Sequence, residues 1–259
     1  MTTAVEFSRD GHIGRITLNR PDAGNGIDAQ MVQDLRAIGE ALGEDRDLRA
    51  IILSGRGANF CVGGDIRVFS GLSAQGPSGL KNFIDGFHFF IRKLRAHPAP
   101  VVAAVNGAAA GGGLSLMLLA DFAVATKSSK FAVAYRRIAT STDGGLSFFL
   151  PRAVGLRKAA ELMLLRDAIT AEEALAIGLV NKLVDDAALQ DEALKMAQTL
   201  AANARHASAN IKQLLNASMM DGLDAQLDRE RDAFAACSQT ADFQEGISAF
   251  LEKRPAKYS

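Results

Sequence analysis

Two glycine-rich segments follow runs of β-forming residues: Phe60-Cys61-Val62-Gly63-Gly64-Asp65-Ile66, and Val105-Asn106-Gly107-Ala108-Ala109-Ala110-Gly111-Gly112-Gly113. They constrain the fold strongly. A strand that runs into adjacent glycines must pass to a tight turn or to the opening of a helix, and its backbone can approach a neighbour or a ligand closely.

The patterning around these segments alternates strand and helix. Arg15 to Leu18 predicts a strand closed by the turn Asn19-Arg20-Pro21-Asp22, and Asp28 then caps a helix with apolar positions at Met31, Leu35, Ile38 and Leu42. Spacings of four, three and four place that set on one helical face. Arg49 to Leu53 predicts a second strand, followed by a loop from Gly57 to Asp65. Leu80, Ile84, Phe87, Ile91 and Leu94 mark the next helix, which Pro98 and Pro100 stop. Val101 to Val105 and Phe122 to Ala125 predict buried strands, with a helix from Gly111 to Ala120 between them. From Asp143 onward the pattern is helical, apart from a short strand near Leu179 to Val184, and Leu189, Ala193, Met196, Ala197 and Leu200 form one more stripe. An α/β core followed by a helical C-terminal part is expected, with no linker dividing them.

Composition excludes several function classes. Formal net charge is zero, which argues against a nucleic-acid partner. Cys61 and Cys237 are far apart, and no Cys/His cluster suggests a disulfide framework or a metal site. The start, MTTAVEFSRD, has no apolar signal core, and the longest apolar run, Leu114 to Ala120, is far too short to span a bilayer. A cytoplasmic protein without a membrane partner is expected.

Glycine amides at the opening of a helix lack internal partners and carry positive partial charge. Two such amides aimed at one oxygen would form an oxyanion hole. The competing explanation is tight turns and close packing. Other glycine motifs do not fit: neither segment reads GxGxxG with a following ribose-binding acid, there is no GxxxxGK[ST], and Ser115 in Gly113-Leu114-Ser115-Leu116-Met117 lacks the second glycine of a hydrolase elbow.

FCVGGDI and NGAAAGGGLSLMLLAD together resemble the crotonase family, also called the enoyl-CoA hydratase/isomerase family. LNRPDAGNGID, DGGLSFFLPRAVG, ITAEEALAIGLVNKLV and GISAFLEKRPAKY extend the resemblance over nearly the whole chain, in order. The resemblance implies an α/β fold: a crotonase-like spiral of strand-strand-helix repeats over residues 1–200, and a helical oligomerisation region over 201–259. It implies a homotrimer or a dimer of trimers, and the apolar stripes of the C-terminal helices, including Leu223, Leu227 and Phe234, offer a surface for that assembly, with intramolecular packing as the competing role. It places oxyanion-hole amides on Gly64 and Gly112, with coenzyme A, as part of the thioester substrate, near Ala23, Gly24, Cys61, Val62 and Asp65. Lys253 and Lys257 match basic positions that approach the coenzyme phosphates, often from a neighbouring subunit; a solvated basic tail is the competing reading. No further cofactor and no metal are implied.

The chain departs from the hydratase pattern. Family hydratases hold water with two glutamates; at the corresponding positions stand Ser115 and Tyr135. The remaining acid is Asp143, in Ser141-Thr142-Asp143-Gly144-Gly145, which resembles the aspartate of phenylacetate-pathway enoyl-CoA isomerases and of 4-chlorobenzoyl-CoA dehalogenase. Capping of the helix that follows is the competing role. Tyr135 is a candidate to orient substrate. His88, His97, Phe148 and Phe149 read as packing or helix-end residues. The expected function is the shift of a double bond in an enoyl-CoA through a stabilised enolate. The alternatives are a dehalogenase or hydrolase with Asp143 as nucleophile, and a non-catalytic acyl-CoA binder.

Overall fold

The computed structural model describes residues 3–74, 77–220 and 222–257. It opens with a hairpin of β1 (Val5–Asp10) and β2 (Ile13–Leu18), paired antiparallel from Val5↔Leu18 to Asp10↔Ile13. Asp28 caps α1 (Ala29–Glu44) by accepting from the Met31 amide at 2.8 Å, and the expected stripe of Met31, Leu35, Ile38 and Leu42 is buried. Next come β3 (Ala50–Gly55), α2 (Ile66–Ser73), α3 (Pro77–Ala96) and β4 (Val101–Val105). The expected helix from Gly111 to Ala120 is preceded by a short strand, β5 (Ala108–Ala110), and is α4 (Gly112–Leu118). There follow β6 (Phe122–Thr126), β7 (Lys130–Ala132), a 3-10 turn at Tyr135–Ile138, α5 (Leu146–Val154), α6 (Leu156–Leu164), β8 (Ile169–Thr170), α7 (Ala171–Ala176) and β9 (Lys182–Val184). The chain ends in α8 (Leu189–Ala202), α9 (Arg205–Met220), α10 (Leu223–Cys237) and α11 (Ala241–Leu251).

The main sheet runs β1-β2-β3-β4-β6-β9, parallel from β2 onward, and a smaller sheet runs β5-β7-β8. Twice the chain leaves a main-sheet strand, adds a small-sheet strand and then turns into a helix: β4-β5-α4 and β6-β7-α5. This is the strand-strand-helix repeat of a crotonase-like spiral.

The central strands β3, β4 and β6 are buried on both faces, as parallel sheets require. Ile52, Val102, Ala104 and Val124 meet Leu189, Ala193 and Ala197 of α8 on one side. Their neighbours Ile51, Leu53, Ala103 and Val105 point the other way, into the larger core shared with α1 and α3. The helices after residue 200 are tied to this body. Leu227 and Phe234 of α10 are fully buried, and Leu223 is 9% exposed, because α10 packs on α3 and α5. These three side chains therefore serve the chain's own core and not an assembly surface. Exposed apolar residues of this region are instead Ile211, Leu214, Leu215 and Met219 on α9, and Phe250 and Leu251 on α11.

Candidate active site

The two glycine-rich segments lie side by side. The Cys61 amide donates to Ala108 O at 3.0 Å and the Ala110 amide to Cys61 O at 2.9 Å, so the first segment pairs in parallel with β5. Gly63 follows at φ +101°, a conformation L side chains rarely adopt, and a Cβ there would lie 2.9 Å from Ala110 O. The Asp65 amide donates to Ile27 O at 2.9 Å, and the Gly111 amide to Ala132 O at 3.0 Å. Between these anchored neighbours, the Gly64 and Gly112 amides have no protein partner among the described residues. Gly112 is the first residue of α4, where a helical amide has no acceptor within its own helix.

Gly64 and Gly112 both face a cavity of about 430 Å³. Phe69, Phe83, Phe87, Ile138 and Phe234 give it an apolar wall, and Phe250 and Leu251 of α11 also contribute. Phe69 stacks edge-to-face on both Phe83 and Phe234, which fixes the shape of that wall. Arg67 and Arg137 also line it, both with half or more of the side chain exposed or nearly so.

Asp143 lines the same cavity and is 8% exposed. Burial pushes its carboxyl up to about 8; the negative charge of Glu230 adds to the rise and a hydrogen bond from Tyr135 opposes it. Its side chain does not cap α5: the N-cap is Gly145, at φ +79°, without a side-chain cap from that residue. That corrects the capping reading. The amides that Asp143 would have capped are taken by Glu230 of α10, which accepts from Gly145 at 2.5 Å, from Ser147 at 2.9 Å and from the Ser147 hydroxyl. Other side chains hold the rest of the loop. Ser115 and Tyr135 hydroxyls donate to the Asp143 carbonyl at 2.9 and 3.2 Å, and the Gly144 amide donates to His88 Nε2 at 3.2 Å. The two positions where a hydratase would hold water with carboxylates are thus hydroxyls engaged with backbone. Burial, with the charges of Arg92 and Arg231, takes His88 down to about 3, so its ring is neutral.

The other residues singled out in the sequence fall in different places. Ala23, Val62 and Asp65 line the cavity. Gly24 lies behind Val62, with its φ at +58°. Cys61 is fully buried, its thiol donates to Asn25 O, and burial pushes it up to about 12; its side chain faces the core. Asp65 is held by Arg67 at 2.9 Å and Arg20 at 3.4 Å, which keeps its carboxyl below the usual range. Lys253 and Lys257 are exposed beyond α11, and the Lys257 amide donates to Glu245 at 2.8 Å. Phe148 and Phe149 are buried in the core. His97 Nε2 donates to Asp45 O, 2.9 Å away, near the end of α3, and its Nδ1 accepts from the Ala99 amide at 3.1 Å.

Sequence reasoning missed Glu230 and the aromatic wall. One signal was present: Leu223, Leu227, Glu230 and Phe234 recur at spacings of four, three and four, which places a carboxylate within an apolar stripe. Among the described residues no group of His, Cys, Asp and Glu side chains is arranged to hold a metal ion, and no helix is long and apolar enough to cross a membrane.

Residues 8–259 match the family model for enoyl-CoA hydratase/isomerase. The chain is 35% identical over 246 residues to the 1,2-epoxyphenylacetyl-CoA isomerase of Escherichia coli, covering 94% of both chains. It is 34% identical over 260 residues to the crotonyl-CoA hydratase of Syntrophomonas wolfei, covering 98% of this chain and 97% of that one. An enoyl-CoA hydratase structure from Mycobacterium avium subsp. paratuberculosis superposes with a TM-score of 0.90 at 28% identity, over 99% of this chain and 98% of that one. With its fold and nearly its full length in common with these proteins, the chain belongs to the enoyl-CoA hydratase/isomerase, or crotonase, family of acyl-CoA enzymes.

Proposed function

We propose that this protein shifts the double bond of an enoyl-CoA, with Asp143 carrying the proton. One observation supports this above all. Asp143 is a buried carboxyl with raised proton affinity in the cavity of the free Gly64 and Gly112 amides, while hydroxyls occupy both hydratase carboxylate positions. The thioester oxygen accepts hydrogen bonds from the two amides. The Asp143 carboxylate takes a proton from C2 of a 3-enoyl-CoA, and the electron pair delocalises into a dienolate whose negative charge rests on that oxygen. Asp143 then returns the proton to C4, leaving the double bond between C2 and C3. One base completes both transfers. Hydration would need water held and activated at the same place, and Ser115 and Tyr135 spend their hydroxyls on the Asp143 carbonyl. The name of the Escherichia coli relative includes isomerase, and the name of the Syntrophomonas relative includes hydratase, so the assay must read both. With a 3-enoyl-CoA the expected product is the 2-enoyl-CoA; with a 2-enoyl-CoA, water addition is expected to be slower by about a hundredfold or more. Hydration as fast as isomerisation would refute the reading.

The protein is further proposed to assemble as a homotrimer or a dimer of trimers through α9. Leu214 and Leu215 are 69% and 60% exposed, beside Ile211 and Met219, which is a larger apolar surface than isolated exposed residues present. Leu214→Glu combined with Leu215→Glu is expected to leave single chains in light scattering at micromolar concentration. A parent that is itself monomeric would overturn the assembly.

A further inference from the structure

We propose that Glu230 is a positioning residue for Asp143: from α10 it fastens the loop that carries the carboxyl and sets a second buried negative charge beside it. The inference rests on Asp143 being the proton carrier.

The geometry is specific. Glu230 is 3% exposed, and its two oxygens are divided between the ends of one short turn, Oε2 on the Gly145 amide and Oε1 on the Ser147 amide and hydroxyl. Gln226, one helical turn earlier on α10, donates to Ser147 Oγ at 2.6 Å and locks the hydroxyl that serves Glu230. Gly144 and Gly145 have φ of +69° and +79°, and a Cβ on Gly144 would lie 2.8 Å from both Ser115 Cβ and a Phe87 ring carbon. A turn this close-set and left-handed keeps its shape only when its amides are satisfied. Three of those amides are satisfied from outside the turn, by His88 and Glu230, and the Asp143 carbonyl is held by Ser115 and Tyr135. Glu230, seconded by Gln226, thus ties α10 to the catalytic loop.

The charges around Asp143 leave Glu230 as the one that matters. The 3-10 turn at 135–138 presents Tyr135, which burial and the charge of Asp143 keep protonated. From α3 comes His88, neutral and bonded to Gly144. α4 offers the Ser115 hydroxyl, and on α5 Arg152 lies over the Phe148 ring, 3.5 Å from its centroid. Arg231, next to Glu230 on α10, is paired with Asp85, Asp228 and Asp232, and Arg92 is paired with Asp224 and Asp228. No cation is left to neutralise the Asp143–Glu230 pair among the described contacts of either carboxyl. Three hydrogen bonds favour the ionised form of Glu230 and one, from Tyr135, that of Asp143, so the shared proton resides on Asp143. The carboxylate form, from which the reaction starts, is then a stronger base than an ordinary aspartate, suited to take a proton from C2 and return it at C4.

The test uses the full-length protein with isotope-labelled aspartate, the Asp143 carboxyl signal being identified with Asp143→Asn. In Glu230→Gln, NMR titration is expected to show Asp143 losing its proton at a pH lower by about one unit or more, and the acid limb of kcat/KM moving with it. kcat is expected to fall by about tenfold on the plateau while KM for the thioester stays within about twofold. Ser147→Ala removes one donor from Glu230, is far less disruptive, and is expected to move the titration in the same direction by a smaller amount. If Glu230→Gln does not fold, Ser147→Ala decides. An unchanged Asp143 titration in the folded variants, or a raised KM with kcat retained, overturns the proposal. Because the titration needs no turnover, it is decided even if the parent isomerises no 3-enoyl-CoA, a result that would refute the function reading instead.

Discussion

Asp143→Asn is expected to slow the isomerisation of a 3-enoyl-CoA by roughly a hundred- to ten-thousandfold, the range a positioned acid–base group contributes. The substitution keeps the size of the side chain. It also spares the hydrogen bonds that set the loop, because Ser115 and Tyr135 donate to the backbone carbonyl of residue 143. Only the proton carrier is lost. In the parent, the carboxylate form starts the reaction, so kcat/KM should rise with pH and level off above about 8, the pH to which burial pushes the group. The variant should show no such limb. Undiminished isomerisation by Asp143→Asn would leave the reaction without its base and refute the assignment.

The same variant should be more stable than the parent. Asp143 holds its proton more tightly in the folded chain, up to about 8, than the ordinary 3.8 of an unfolded aspartate. Between those two values the unfolded chain binds fewer protons than the folded one, so each step up in pH favours unfolding. The penalty is absent below the unfolded value, grows through the window, and is complete above about 8. Asparagine does not titrate and escapes it. The melting temperature of Asp143→Asn is therefore expected to exceed that of the parent by on the order of 5 °C at pH 8, with the gap closing towards pH 4. A gap that widens on acidification would contradict the raised proton affinity of Asp143.

The main sheet and its covering helices were legible because burial writes a period into the sequence. Met31, Leu35, Ile38 and Leu42 mark α1, and the continuous apolar run of Val101 to Val105 marks a strand buried on both faces. The small sheet was not legible. Ala108-Ala109-Ala110 has helical propensity and becomes β5 only because Cys61 on one side and β7 on the other supply its hydrogen-bond partners. β1 was also missed: Glu6, Ser8 and Arg9 are polar, and an edge strand buries little beyond Val5. At the site, the glycine segments and Asp143 stood out by residue type. The partner of Asp143 did not, since Glu230 lies 85 residues beyond the Gly145 amide it binds, and no local pattern records a contact made by folding α10 back onto α5. The nearest acid in the chain is the natural competing cap, but the fold supplies a distant one and leaves the near one to the cavity.

Gly112→Pro is expected to lower kcat by roughly a hundred- to a thousandfold, the usual cost of deleting one oxyanion donor. Gly112 opens α4, and proline is tolerated at the first helical position because the amide it lacks has no helical acceptor there. The preceding residue, Gly111, has φ 50° and ψ −124°, outside the right-handed helical region that proline disfavours in its neighbour. The added Cβ would come within 3.0 Å of the Ile27 Cδ1 methyl, the movable end of a side chain. Gly112→Ala introduces that same Cβ and keeps the N–H, so it carries the crowding without the lost donor. The ratio of the two variants isolates the amide. Alanine is expected to retain most of the parental kcat, proline to lose it, and both to keep similar KM values for the thioester, since the donor acts mainly on the negative charge of the enolate and much less on the neutral carbonyl of the ground state. Equal activity of the proline and alanine variants would show that the Gly112 amide does not hold the thioester oxygen.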